Sequence, residues 1–255
     1  GAPKETKATG LVVPRKHLGT TAAEPETAEQ LAVGAHEEDQ KTGPRHGKAK
    51  LSEAKRARYT AQLNHPDPKV AIEGIASLAH RQAMTPALGK KVLTLIKSSN
   101  DVELKKTGVW AISRSGMDNV EAELATFGLT ETNGRVGSRV IDALVTLKND
   151  KARDGLVSLM KGAEVKTVRR RSAMMLGMVG KGQPGVLQAL TTTALKDADA
   201  AVRSSAIRAL GVSTSAAAMG ALKTISEAAP TAADREAAEK RLARTQARLG
   251  SAAQL

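Results

Sequence analysis

The chain has 255 residues, a net charge of +13 and only three aromatic side chains, those of Trp110, Tyr59 and Phe127. So few strong β-formers and large core residues disfavour sheets and a single large core, and the abundant Ala, Leu, Val and Gly favour closely packed helices. The lack of cysteine excludes disulfides, thiolate zinc sites and cysteine nucleophiles, and no apolar run approaches the roughly 18–20 residues that a membrane span needs.

The first 48 residues differ in composition from the rest of the chain. They contain four prolines and equal numbers of acidic and basic residues, so the whole net charge belongs to the remainder. Such a polar, proline-containing segment predicts a flexible or extended N-terminal arm over 1–48, followed by a helical domain over 49–255. Leu11, Val12 and Val13 form a compact apolar group and are its best candidates for docking to a partner. A solvated tail is the alternative interpretation of the arm.

Beyond residue 50 the chain repeats a pattern of turn residue, branched apolar anchor, small residue and aliphatic end. The anchors are Val70, Leu104, Val136, Val168 and Val202, so successive anchors are 34, 32, 32 and 34 residues apart. A fixed period of this length is typical of stacked helical repeats, in which each unit buries its apolar face against the next unit.

Each unit predicts two helices. The first helices are expected at 52–63, 86–97, 119–127, 152–160, 184–194 and 216–228, and the second helices begin three residues before the anchors. Asp67, Asp101, Asn133 and Asp199 occupy that starting position, where a short acceptor side chain can satisfy free backbone amides. The last helix, expected at 231–249, is strongly charged, which predicts a terminal cap facing water.

The segments Asp-Pro-x-Val-x-x-x-x-Ile-x-x-Leu from Asp67 and Asp-x-x-Val-Arg-x-x-Ala-Ile-x-Ala-Leu-Gly from Asp199 resemble HEAT repeats. The likeness is strongest to the short bacterial kind that resembles phycobilisome-lyase repeats, and it covers 51–249. It implies an all-α fold, an α-solenoid of about six two-helix HEAT-like repeats with an extended N-terminal arm. In such repeats the arginine after the anchor joins neighbouring units, which covers Arg169 and Arg203, whereas the third unit has Gly137 there.

The sequence contains no recognisable catalytic or cofactor motif. All five histidines lie in the first third of the chain, without the spacing of metal ligands on one helical face. The carboxylates of Asp118, Glu121 and Glu123 lie near a helix start, where negative charge is favoured. We therefore expect a protein that is not an enzyme and holds no cofactor or metal.

Basic residues and one tryptophan are the candidates for partner binding. Three consecutive arginines cannot all point in one direction on a helix, so Arg170 and Arg171 are expected to reach a partner. Trp110 is either packed between repeats or exposed as a single anchor for a partner. The remaining candidates are basic residues of the helices, namely Lys55, Arg56, Arg58, Lys166 and Arg208.

These features predict a protein-protein interaction scaffold, a structural or adaptor subunit whose partner has an acidic surface. The alternative is a protein that binds the nucleic-acid backbone, because basic clusters can neutralise phosphates without reading bases. With three aromatic residues in the chain, stacking of unpaired bases is disfavoured.

Overall fold

A computed structural model describes residues 51–180 and 182–252, and all regular secondary structure in these two stretches is α-helical. The helices, here numbered in chain order, are α1 Glu53–Gln62, α2 Pro68–His80, α3 Pro86–Ser98, α4 Val102–Ile112, α5 Val120–Thr130, α6 Gly134–Leu147, α7 Asp150–Gly162, α8 Lys166–Val179, α9 Pro184–Lys196, α10 Ala200–Leu210, α11 Ala216–Ala228 and α12 Ala232–Ala252. They form six pairs, which confirms the predicted all-α repeat fold. The predicted arm lies outside the described residues.

The two helices of each pair pack together, and the pairs stack in chain order. Every second helix contacts the next one, from α2–α4 through to α10–α12. Contacts between successive first helices are extensive for α5–α7 and α9–α11, but they are few for α7–α9 and fewer still at the start of the stack. The layer of second helices is therefore the more closely spaced one.

The predicted helix starts are confirmed at atomic detail. The carboxylate of Asp101 accepts a hydrogen bond from the backbone N–H of Leu104 at 2.7 Å, and that of Asp67 accepts one from Lys69 at 2.9 Å. Asn133 and Asp199 each accept two such bonds at the starts of α6 and α10. The exception is α8, where Val165 occupies the starting position and provides no side-chain cap.

A continuous apolar seam runs between the two helical layers. Its centre consists of aliphatic side chains from the second helices. Examples that are almost completely inaccessible to solvent are Ile75, Ile112, Ile141, Leu144 and Leu176. Close approach of neighbouring second helices requires small residues. A Cβ added to Gly177 of α8 would lie 2.8 Å from the Cα of Ala209 in α10, so these two backbones are nearly in contact.

Ion pairs link consecutive units beside this seam. Arg169 Nε donates to Asp197 of the next unit at 2.9 Å, and Arg203 Nε donates to Asp234 at 2.8 Å. Lys105 makes the equivalent contact with the buried Glu131 at 2.8 Å. The predicted role of Arg169 and Arg203 in joining repeats agrees with this geometry.

The cap of α10 predicts a pH dependence of stability. The pKa of Asp199 is lowered from its ordinary value of about 3.9, mainly by a hydrogen bond from Lys166 and then by the backbone N–H groups of Val202 and Ala201. A carboxyl group that is more acidic in the folded chain stabilises it above the unfolded pKa, and this contribution disappears as the pH falls through the lowered folded value. We expect Asp199→Ala to lower the urea midpoint at pH 7 and to approach the wild-type midpoint at pH 3.

Asp199→Asn is the matched control, because asparagine caps helices well but cannot form the ion pair with Lys166. Its midpoint should lie between the other two at pH 7. A difference between wild type and Asp199→Ala that is the same at both pH values would contradict the assignment.

Candidate binding face

The second helices share one solvent-facing side, which we call the inner face. Each unit contributes two residues, nine and thirteen positions after the residue that immediately precedes its second helix. The two residues of a unit therefore lie one turn apart on the same side. The twelve residues are Ala76 and His80, Trp110 and Arg114, Asp142 and Thr146, Met174 and Met178, Arg208 and Val212, and Lys240 and Arg244. All of them are exposed or half-exposed, so the stack presents one continuous surface.

Trp110 lies in the first part of the inner face, between α2 and α4. Its ring centroid is 4.6 Å from that of His80, and the guanidinium of Arg114 lies 5.0 Å from it. The indole is half-buried and packs against the core. The ring therefore packs against the core and also forms part of the inner face, and its role as an anchor for a partner remains a prediction.

An apolar patch occupies the middle of the inner face. Met174 is 39% exposed and Met178 is 62% exposed on α8, and Val212, next to the end of α10, is 38% exposed. Sequence reasoning missed this patch because methionine in an amphipathic helix is normally assigned to the core. An alignment of the units could have revealed the exposure of Met174. At the equivalent position other units have Trp110, Asp142 and Arg208, which include charged residues that are rarely buried.

Basic residues surround the apolar patch. Arg170 is exposed on α8, four residues before Met174, and Arg208 occupies the position of Met174 in the next unit. Toward the end of the stack, Arg208, Arg241 and Arg244 line a cleft between α10 and α12. Arg241 and Arg244 were assigned from the sequence only to a solvated terminal cap.

Two other predicted arginine and lysine candidates make contacts within the stack. Arg171 donates to Asp142 on α6 at 2.6 Å, and its side chain is 41% exposed. Lys166 lies at the start of α8, away from the inner face, and pairs with Asp199 at 3.2 Å. Neither contact prevents these side chains from also reaching a partner, so their predicted roles remain predictions.

The remaining candidates lie elsewhere. Lys55, Arg56 and Arg58 are on α1, a first helix, and the guanidinium of Arg58 lies 5.3 Å from the Tyr59 ring. The structure therefore does not bring them to the inner face. Leu11, Val12 and Val13 fall outside the described residues.

Two acidic residues of α5 make contacts within the stack. Glu121 is buried and accepts a hydrogen bond from Asn149 at 2.6 Å, and Glu123 pairs with Lys97 at 3.3 Å. Within 51–180 and 182–252, no three His, Cys, Asp or Glu residues are grouped closely enough to hold a metal ion. None of the helices in these stretches is both long enough and apolar enough to cross a membrane.

Comparison with known proteins adds the following findings. A family model described as HEAT repeats matches residues 122–211 and 154–247. No curated protein sequence matches the chain significantly. The chain is similar in structure to human deoxyhypusine hydroxylase in complex with glycerol, with 17% identity, coverage of 76% of this chain and 75% of that one, and a TM-score of 0.43.

Two other similar structures are artificial proteins. One is an engineered protein with 18% identity, coverage of 77% of this chain and 98% of that chain, and a TM-score of 0.43. The other is a designed armadillo repeat protein with 17% identity, coverage of 72% and 97%, and a TM-score of 0.39.

Proposed function

This chain is a HEAT-repeat protein, and from that premise we propose that it is a protein-interaction scaffold, a structural or adaptor subunit of a larger assembly. The inner face binds a protein segment that carries both apolar and acidic side chains. The chain acts by binding and not by catalysis.

The observation that carries this proposal is the apolar patch on the inner face. Met174 and Met178 lie one turn apart on α8, Val212 follows the end of the adjacent α10, and each of the three exposes more than a third of its surface. Contiguous exposed apolar side chains are costly in water and mark interaction surfaces. Methionine is particularly suited to such a surface, because its unbranched, polarisable side chain adapts to the shape of a partner.

The charge around the patch indicates the character of the partner. Arg170 and Arg208 flank the methionines, and neither forms an ion pair with another residue of the described chain. An acidic partner would supply the missing counter-charges, which favours correct orientation and rapid association. A segment with apolar residues in its centre and carboxylates at its edges fits this arrangement.

Support for a non-catalytic role comes from the contacts of the two described histidines. His65 Nδ1 accepts the backbone N–H of Asp67 at 3.1 Å, and the His80 ring packs against Trp110. Neither contacts a serine or threonine hydroxyl, so neither is arranged as the base of a nucleophile.

Site-specific photo-crosslinking in the native cell tests the scaffold role. A photo-reactive amino acid is placed at Met178 on the inner face or at Ser158, which is exposed on α7 in the layer of first helices. We expect a specific protein to be crosslinked from Met178 but not from Ser158, through a peptide rich in Asp, Glu and apolar residues. The Met174→Ser/Met178→Ser double variant should then weaken binding of the purified partner at least tenfold.

Crosslinks to the same proteins from both positions, or to nucleic acid alone, would count against the scaffold role. The urea midpoint of the double variant provides the folding control. Because both methionines are exposed, it should remain close to the wild-type midpoint.

Binding to the nucleic-acid backbone is the second candidate. The net charge of +13 and the arginines between α10 and α12 favour it. The carboxylate of Asp142 and the exposed methionines interrupt the basic surface, which favours a protein partner. A retention on mixed-sequence DNA that falls steeply with salt, by about 0.9 logarithmic units per phosphate contact for each tenfold increase, would support the second candidate.

A further inference from the structure

A small basic cleft lies between α10 and α12, at the end of the inner face. Its volume is about 160 Å³, and it is lined by Ser204, Ile207, Arg208, Ala237, Lys240, Arg241 and Arg244. The two walls come from consecutive second helices, whose separation is fixed by the buried ion pair between Arg203 and Asp234. The cleft is thus part of the rigid stack.

Three arginines of this cleft lack counter-ions within the described chain. Other arginines of the stack have partners, since Arg169 pairs with Asp197 and Arg248 donates to the carbonyl oxygen of Gly211 at 2.7 Å. Within 51–180 and 182–252, the guanidinium groups of Arg208, Arg241 and Arg244 have no such hydrogen bond or ion pair. The fourth cation, Lys240, is neutralised by Glu236 at 2.5 Å.

The electrostatic effect of this arrangement is visible at Arg241. The pKa of Arg241 is lowered, first by burial and then by the positive charges of Arg244, Arg208 and Arg248. Repulsion between guanidinium groups is relieved when an anion binds among them. The cleft therefore carries an uncompensated positive charge, as expected of an anion-binding site.

We propose that this cleft binds a single phosphate group, carried by a phosphorylated serine or threonine of the protein segment that lies on the inner face. This inference rests on the proposed scaffold function and names a feature of the partner. Guanidinium groups bind phosphate through paired, charge-assisted hydrogen bonds, and the dianionic group supplies the charge that three arginines require.

The size and position of the cleft favour a single phosphate group over a nucleic-acid strand. Its lining extends over one turn of α10, from Ser204 to Arg208, and about two turns of α12, from Ala237 to Arg244, which suits one tetrahedral oxyanion better than a row of phosphates. On the inner face, Arg208 occupies the same position as Met174 but in the next unit. A segment whose apolar side chains contact the methionines would thus place a neighbouring phosphate at Arg208.

Titration of the full chain with inorganic phosphate tests the site directly. The arginine Nε–Hε signals are followed by NMR at constant ionic strength. We expect saturable shifts of the Arg241 and Arg244 signals, and we expect binding to weaken at least tenfold in Arg241→Gln/Arg244→Gln. Arg135→Gln, at an exposed position on α6, should bind like the wild type.

A response that is linear in phosphate, or that has the same size at all exposed arginines, would overturn the proposal. The urea midpoint of the double variant shows whether a loss of binding reflects unfolding. Arg208→Gln provides a second test, because it removes one guanidinium from the opposite wall of the cleft and should also weaken phosphate binding.

Three further probes distinguish the source of the phosphate. A degenerate peptide library with a central phosphoserine, the same library with serine, and a single-stranded DNA decamer are compared on wild type and variants. We expect Arg241→Gln/Arg244→Gln to reduce only the binding of the phosphorylated library. Preferential binding of DNA, reduced equally by Arg135→Gln, would overturn the phosphoprotein assignment.

The two proposals fail in different ways. Loss of the phosphate response with an intact protein crosslink at Met178 would remove only the phosphate site. A phosphate response without any protein crosslink would remove the scaffold role and, with it, the assignment of the phosphate to a protein.

Discussion

Replacement of Arg203 by methionine is expected to destabilise the protein by about 3–5 kcal/mol, because it leaves a buried carboxylate without its counter-charge. Arg203 and Asp234 are 7% and 5% exposed. The guanidinium donates to Asp234 and also to the carbonyl oxygens of Asp197 at 3.0 Å and Ala198 at 3.2 Å. After the substitution, only the hydroxyl of Thr231, at 2.6 Å, remains to solvate the carboxylate. Urea unfolding followed by circular dichroism measures the loss.

Lys240→Met is the matched control for Arg203→Met. It also breaks a lysine or arginine pair with a carboxylate, but this pair lies within α12, and Lys240 and Glu236 are exposed, with 66% and 63% of their side chains accessible. Exposed pairs contribute about 0–1 kcal/mol. The double variant Arg203→Met/Asp234→Leu should recover part of the stability lost in Arg203→Met. If Arg203→Met and Lys240→Met cost the same, the buried pair does not hold the last two units together.

The fold was predictable because the apolar anchors define the spacing of the units. Val168 and Val202 are buried between layers, and residues that cannot be exposed must recur at a fixed interval in every unit. The starts of the second helices were predictable for a local reason, because Asp101 and Asn133 satisfy amides within three residues of their own position. Such local and periodic features are fully contained in the sequence.

The binding face was only partly predictable, because exposure depends on which neighbour covers each position. Met174 and Leu176 are both apolar residues of α8, yet the first is 39% exposed and the second is fully buried. The contact between Arg171 and Asp142, twenty-nine residues earlier in the chain, could not be predicted from the sequence pattern. Arg241 and Arg244 acquire their significance from Arg208 on a different helix. To predict such contacts, one must know which residues of neighbouring helices lie side by side. The hydrophobic pattern alone does not provide this register.

Gly177→Ala is expected to destabilise the protein by about 1–3 kcal/mol, although alanine normally stabilises helices. The added Cβ would lie 2.8 Å from both Cα and Cβ of Ala209 and 3.1 Å from its carbonyl oxygen. Backbone atoms cannot rotate away, so α8 and α10 must separate along the seam that carries the apolar patch and one wall of the cleft. The urea midpoint measures the cost.

Gly220→Ala is the matched control, because Gly220 lies inside α11 with no atom within 4 Å of the added Cβ. There the substitution should stabilise the protein by about 0.5–1 kcal/mol, since alanine restricts the unfolded chain and meets no obstacle. The same chemical change should thus have opposite signs at the two positions. Stabilisation by Gly177→Ala would mean that α8 and α10 can move apart freely. The distance between the apolar patch and the cleft would then not be fixed, and the two could not recognise a single segment together.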